Sequence, residues 1–194
     1  MPSATIRHKI LTIPGLHNSG PTHWQSLWEA QHGYTRVQQH DWMRPLRGDW
    51  IARLEEVLLA RRDQGRASAV LAAHSLGCML VAAWAAHSRN THLVHGALLV
   101  APPDTERDDV RQMLPSWAPV PAQPLPFAAV VFASTDDPFC AFDRAGLFAR
   151  RWGAELIAAG ARGHLNAESG LGPWPQGQQA LQQLMAGTTT NEEN

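Results

Sequence analysis

Ala67-Ser68-Ala69-Val70-Leu71-Ala72-Ala73-His74-Ser75-Leu76-Gly77-Cys78-Met79-Leu80-Val81-Ala82-Ala83-Trp84-Ala85-Ala86 decides how this chain is read. Ala67 to Ala73 is a short apolar run of the kind that forms a buried strand. Leu76 to Ala86 is apolar nearly all round, as a helix must be when every face of it is covered. Only His74 and Ser75 separate the two, so the chain passes from strand to helix through one sharp turn with a serine at its apex. That is the physical content of the G-x-S-x-G elbow, in which small neighbours let the strand and helix backbones approach while the hydroxyl stands clear. Ala73 occupies the first glycine position, a change of one methyl group, and Gly77 occupies the second.

Outward from the elbow, further β-prone runs lie at His8 to Ile13, Tyr34 to Gln38, Leu93 to Ala101, Phe127 to Ala133 and Ala154 to Ala158. Helical stretches fall between most of them. Trp24, Leu27 and Trp28 mark one apolar face, and Trp50, Leu54, Val57 and Leu58 mark another. Strands alternating with helices predict a mainly parallel sheet of about six strands covered on both faces, a three-layer α/β/α sandwich. Right-handed crossovers bring every strand to its end on the same edge, where ligands bind. Chemistry is therefore expected in the segments that follow strands.

Two such segments carry what a serine nucleophile needs, in the chain order acid and then histidine. After Ala133 comes Ser134-Thr135-Asp136-Asp137-Pro138, and after Ala158 comes Gly160-Ala161-Arg162-Gly163-His164. A serine hydroxyl is a weak nucleophile at neutral pH. His164 would take its proton and return it to the leaving group, while a carboxylate orients the imidazole and stabilises its charged form. Asp136 and Asp137 are both candidates for that carboxylate, with Asp104, beyond the strand ending at Ala101, in reserve. The oxyanion would be held by the backbone N–H of Leu76 and by one from Pro14-Gly15-Leu16-His17-Asn18-Ser19-Gly20, assigned to Leu16.

With 16 basic and 17 acidic residues in 194, a net charge of −1 and 44% hydrophobic residues, the chain has the composition of an ordinary globular domain. No basic stripe is present to neutralise phosphates, so nucleic acid is not an expected partner. No apolar run reaches the length that spans a bilayer, and no membrane partner is expected. Cys78 and Cys140 sit in apolar surroundings and no charged and apolar leader opens the sequence, which together suggest a cytoplasmic location. No ligand spacing for a metal appears, and no cofactor is implied. Residues 1–186 are expected to form one domain and 187–194 a disordered polar tail.

The stretches Ile13-Pro14-Gly15, Ala73-His74-Ser75-Leu76-Gly77-Cys78, Ala101-Pro102-Pro103-Asp104, Ser134-Thr135-Asp136-Asp137-Pro138-Phe139 and Gly163-His164 with Gly172-Pro173-Trp174-Pro175 resemble the YdeN and retinoblastoma-binding-protein-nine family of small serine hydrolases. The resemblance spans nearly the whole chain. It implies a compact α/β-hydrolase fold, a Ser-Asp-His triad in which Asp137 is the acid, and an esterase-like activity. A protein-binding role is implied in one branch of that family, but no peptide-binding motif accompanies it here and the protein partner is unknown.

The expected substrate is a small carboxylic ester, with thioesters and small amides as chemical neighbours. The alternative, from another class, is a binding or regulatory protein that retains the scaffold with incidental activity. His74 is expected to point away from the serine. His17 and His23 flank the oxyanion loop and are candidates for substrate contact, and Trp42, Trp117 and Trp174, in segments after strands or beside His164, are candidate pocket walls. Thr105 to Leu114 is expected to form a short helix. Five prolines between Pro115 and Pro126 then leave no room for a large cap domain, so a shallow, partly aromatic cleft favouring short acyl chains is expected, without activation at lipid interfaces.

Overall fold

The computed structural model describes residues 8–187. The β-branched and aliphatic runs become six strands, β1 (Lys9–Ile13), β2 (Thr35–Arg36), β3 (Ala69–His74), β4 (Val94–Val100), β5 (Ala128–Ala133) and β6 (Glu155–Ala158). They form one sheet in the order β2-β1-β3-β4-β5-β6, and each neighbouring pair is parallel. The centre is β3, with all six residues buried, whereas the edge strand β6 is partly exposed along its length. At the opposite edge β2 is shorter than the apolar run from Tyr34 to Gln38 suggests. Past Arg36 the ladder ends, although the N–H of Val37 still donates to Thr12 O.

Helices cover both faces. α1 (Trp24–His32) and α6 (Pro175–Ala186) share one apolar cluster with Val70, Ala72, Leu98, Val100 and Phe132, and α2 (Arg47–Asp63), α3 (Leu76–His87) and α5 (Phe142–Trp152) share a second with Leu11, Ile13, Leu71, Ala73 and Leu99. Successive strand residues thus feed opposite layers, as the two-residue period of a strand requires. The short α4 (Asp108–Met113) lies within the stretch Thr105 to Leu114 and sends Val110 into the α2–α3–α5 cluster.

On α1 the buried face differs from the expected one. Leu27 is half-exposed, and Gln25 is buried in its stead, its Nε2 donating to Ala72 O and its Oε1 accepting from Ser19 Oγ. A glutamine whose amide is satisfied at both ends is stable in such a place. The predicted tail lies outside the described residues except for Gly187, which ends α6 in the left-handed region. Among the described residues no helix is long and apolar enough to cross a membrane.

Candidate active site

The elbow forms because three backbones meet where side chains would not fit. A Cβ on Gly77 would stand 2.3 Å from Ile13 O, and one on Gly15 would stand 2.8 Å from Ser75 Cβ and 3.0 Å from Leu76 N. Glycine at both positions lets the end of β1 lie directly against the start of α3. Ser75 itself is held at φ 53° and ψ −124°, a conformation that costs a non-glycine residue about 1–3 kcal/mol. Its N–H donates to Val100 O and its carbonyl accepts from Cys78 N–H, both at 2.8 Å, so the turn is anchored on either side. Ala73, in place of the first glycine, is fully buried.

His164 Nε2 stands 2.8 Å from Ser75 Oγ, and His164 Nδ1 stands 2.9 and 3.0 Å from the two carboxylate oxygens of Asp137. The imidazole and carboxylate are nearly enclosed, with side-chain exposures of 9% and 3%. Asp137 also accepts from Phe139 N–H at 2.9 Å, and the Phe139 ring packs edge-on against the imidazole.

The adjacent carboxylate turns elsewhere. Asp136 Oδ1 accepts from Ser134 Oγ at 2.6 Å and from Gly163 N–H at 2.7 Å, and these two bonds hold its carboxyl below the usual range. Asp136 therefore ties the backbone one residue ahead of His164, while Asp137 meets the ring. Asp104, the reserve acid, is engaged by Arg144 at 3.1 Å.

His74 is not free of a role at this site. It is buried, and its Nε2–H donates to the backbone oxygen of His164 at 2.9 Å, tying the residue before Ser75 to the residue after Gly163. Burial, with His23 and His164 nearby, keeps its pKa well below the ordinary imidazole value. Adjacency in sequence excludes it as partner of the Ser75 hydroxyl, but a residue pointing away from the serine points at something else, and no motif reveals what.

A cavity of ≈ 380 Å³ opens over Ser75. Leu16, Val110, Met113, Leu114 and Phe139 supply apolar lining, and His17, Asn18, His23, Asn166 and Glu168 give it polar character. Leu16 and Leu76 both line this space, and the absence of a side chain on Gly15, where a Cβ would stand 3.0 Å from Leu76 N, lets the loop after β1 lie against the start of α3. His17 and His23, the expected contact candidates, both lie on the cavity.

The three tryptophans do not. Trp117 is buried and donates from Nε1 to Pro45 O, Trp174 is buried among Trp24, Trp28 and Phe132, and Trp42 packs against the α2 side of the core. Bulky rings in loops here serve as packing that secures the loops, so the tryptophan wall is corrected: the apolar lining comes from Leu16, Val110, Met113, Leu114 and Phe139. Leu114 and Met113, from the expected short helix, supply what the proline-rich segment was expected to supply. The thiols of Cys78 and Cys140 are buried, and burial raises both, Cys140 to about 12. Neither is suited to be a nucleophile.

Known proteins share this architecture. A YdeN-like hydrolase from Pectobacterium atrosepticum superposes with a TM-score of 0.76 at 29% identity, covering 93% of this chain and 91% of that one. The ydeN gene product of B. subtilis superposes with a TM-score of 0.71 at 19% identity, over 93% of this chain and 100% of that one. Esterase 2 of Thermogutta terrifontis shares the fold with a TM-score of 0.68 at 15% identity, over 96% of this chain and 86% of that one. No curated protein matches. The sequence matches the serine hydrolase family over residues 10–183, and the chain belongs to that family.

Proposed function

We propose that this serine hydrolase cleaves small carboxylic esters through an acyl-enzyme on Ser75, with His164 as general base and acid and Asp137 as the group that orients it. The observation that carries the reading is the continuous line from Ser75 Oγ to His164 Nε2 to Asp137, with every step at hydrogen-bond distance. Because Asp137 accepts from Nδ1–H, the lone pair of Nε2 faces the serine hydroxyl and receives its proton as Oγ attacks the ester carbonyl. The negative charge then forming on the carbonyl oxygen is met by the N–H groups of Leu16 and Leu76, the latter at the first turn of α3 where the helix dipole adds to the effect. The imidazolium protonates the departing alcohol. Water, activated by the same imidazole, releases the acid from Ser75.

The acyl chain is assigned to the aliphatic side of the cavity, against Val110, Met113 and Leu114. A space of ≈ 380 Å³, with the short α4 along part of its border, suits acyl groups of about two to four carbons. Two buried thiols in a fold without disulfides among the described residues suit a reducing cytoplasm. We treat residues 1–186 as one catalytic domain with a small-molecule substrate. Turnover of p-nitrophenyl acetate, butyrate and octanoate, with and without micelles, tests this function. The short esters are expected to give the higher kcat/KM and Ser75→Ala to remove it, whereas an optimum at octanoate or a jump in rate with micelles would contradict the chain-length assignment. Absence of any ester turnover would instead favour a binding role.

A further inference from the structure

Arg36 ends the edge strand β2, and every one of the five N–H donors of its guanidinium has an acceptor. Nε and Nη2 meet the two carboxylate oxygens of Glu29, on α1, at 2.9 and 2.8 Å, and Nη2 also donates to Ser26 Oγ at 2.6 Å. Nη1 donates to Asn18 Oδ1 at 2.9 Å and to Ser19 O at 3.0 Å. Glu29 accepts in turn from Thr12 Oγ1, so the guanidinium is anchored on β1, β2 and α1. The ion pair is largely enclosed, with side-chain exposures of 12% for Arg36 and 20% for Glu29. A staple between a helix and a strand needs only the contacts to Glu29. The two bonds from Nη1 go instead to the loop that follows β1.

That loop carries Leu16. Asn18 N–H donates to Gly15 O at 3.1 Å, and His17 N–H donates to Trp42 O at 3.0 Å. Gly15 O and Leu16 N–H belong to one planar peptide unit, in which they point in opposite directions. Whatever holds Asn18 against Gly15 O therefore also aims Leu16 N–H. His17 and Asn18 both lie in the left-handed region, at φ 65° and 67°, a path uncommon for residues other than glycine. The Asn18 side chain, held by Arg36 and accepting from Ser19 N–H at 2.8 Å, keeps the loop on that path. Among the described residues Leu16 N–H donates to nothing, and Leu16 lines the cavity together with Ser75. We propose that Arg36 is a positioning residue for the hydrolysis: through Asn18 it holds the peptide between Gly15 and Leu16 in the orientation that presents Leu16 N–H to the oxyanion. The proposal rests on the reading of Ser75 and Leu16 given above. A donor fixed in advance stabilises the developing charge without having to reorganise.

Two substitutions cut the link at different points. Arg36→Ala removes the guanidinium, and Asn18→Gly removes its acceptor while tolerating the left-handed backbone and leaving the pair with Glu29 intact. Turnover of p-nitrophenyl butyrate is measured together with inhibition by butyl trifluoromethyl ketone and by butyl methyl ketone. Ser75 Oγ adds to the carbonyl carbon of the fluorinated ketone, the serine proton passes to His164, and the carbonyl oxygen becomes an anion like that of the ester intermediate. The methyl ketone reports binding without addition. Each variant is expected to lower kcat by about ten- to a hundredfold, short of the ~10²–10³-fold that follows loss of a whole oxyanion donor. KM and inhibition by the methyl ketone should stay nearly constant, while the inhibition constant of the fluorinated ketone rises by the factor that kcat/KM falls. The double variant should cost little more than Arg36→Ala alone, since both act on one link. A fall in kcat with inhibition by the fluorinated ketone unmoved would overturn the proposal, because the loss would lie outside the oxyanion. A lowered urea midpoint with wild-type kcat would reduce Arg36 to a staple of the fold, and a rise in KM with kcat kept would make Asn18 a substrate contact instead. Should Arg36→Ala fail to fold, Asn18→Gly carries the same test. Failure of the wild type to bind the fluorinated ketone or to label with a fluorophosphonate would be a failure of the Ser75 reading, distinct from all of these.

Discussion

On the α1 side of the cavity the polar rings are held by hydrogen bonds from more than one element, whereas on the α4 side the wall is a six-residue helix with an exposed methionine. His164 is tied through its ring to Asp137 and Ser75 and through its backbone to His74, and the loop before it is tied to Asp136. Across the cavity, Met113 is 54% exposed and only Val110 of α4 is buried. A base must keep its geometry to a fraction of an ångström, but a surface that receives an alkyl chain only has to be apolar and near. The comparison implies that substitutions on the first side act on kcat and that those on the second act on chain-length preference.

The largest expected effect lies in the pair of adjacent carboxylates. Asp137→Asn should lower kcat by about three to four powers of ten, because an amide beside Nδ1 favours the wrong tautomer, approaching the loss expected of His164→Ala. Asp136→Asn should cost about tenfold or less, since the amide oxygen can still accept from Gly163. Steady-state kinetics on p-nitrophenyl butyrate decides this, and equal losses at the two positions would show that the loop tie and the ring contact cannot be separated.

An intermediate effect is expected at His74. His74→Ala should reduce kcat by about tenfold with KM little changed, and His74→Gln, which retains a donor for the His164 carbonyl, should recover most of it. The same residue shapes acid stability. Unfolded, His74 and His23 take up protons near 6.5, but the fold keeps both neutral, His23 down to about 3. Their contribution is complete above about pH 6.5 and is lost as the pH falls toward those depressed values, with a slope of up to about 1.4 kcal/mol per pH unit for each group. Urea unfolding between about pH 7 and pH 5 should therefore show a shallower slope in His74→Gln than in the wild type. An identical slope would mean that the imidazole is protonated in the fold.

The smallest effect is expected across the cavity. Met113→Ala should change kcat/KM for butyrate relative to acetate by only a few-fold, since an exposed side chain contributes little apolar contact. A drop of a hundredfold or more in turnover of both esters would break the division between the two sides.

Much of this site is legible in the chain before folding because its parts are local. Strand, turn and glycine around Ser75 are contiguous, and His164 and the Asp136–Asp137 pair follow strands whose parallel arrangement dictates a common edge. What escapes is where side chains point from loops. Trp117 and Trp174 follow strands as pocket residues do, yet a buried indole is equally useful for fastening loops: Trp24 bonds Leu165 O, Trp28 bonds Pro173 O and Trp152 bonds Pro121 O. Trp174 adopts a left-handed backbone and covers Gly177, where a Cβ would stand 2.2 Å from its ring. Neither contact leaves a periodic trace. Gln25 replaced Leu27 on the buried face of α1 for a similar reason, since its partners Ala72 O and Ser19 Oγ lie elsewhere in the chain.

The central claim is that Ser75, activated by His164, is the nucleophile. Treating the wild type, Ser75→Ala and His164→Ala with a fluorophosphonate and mapping the adduct by peptide mass spectrometry tests it most directly. The account predicts one adduct on Ser75 in the wild type, none in Ser75→Ala, and labelling slowed by orders of magnitude in His164→Ala. An adduct on another residue, or labelling that persists in Ser75→Ala, would contradict it.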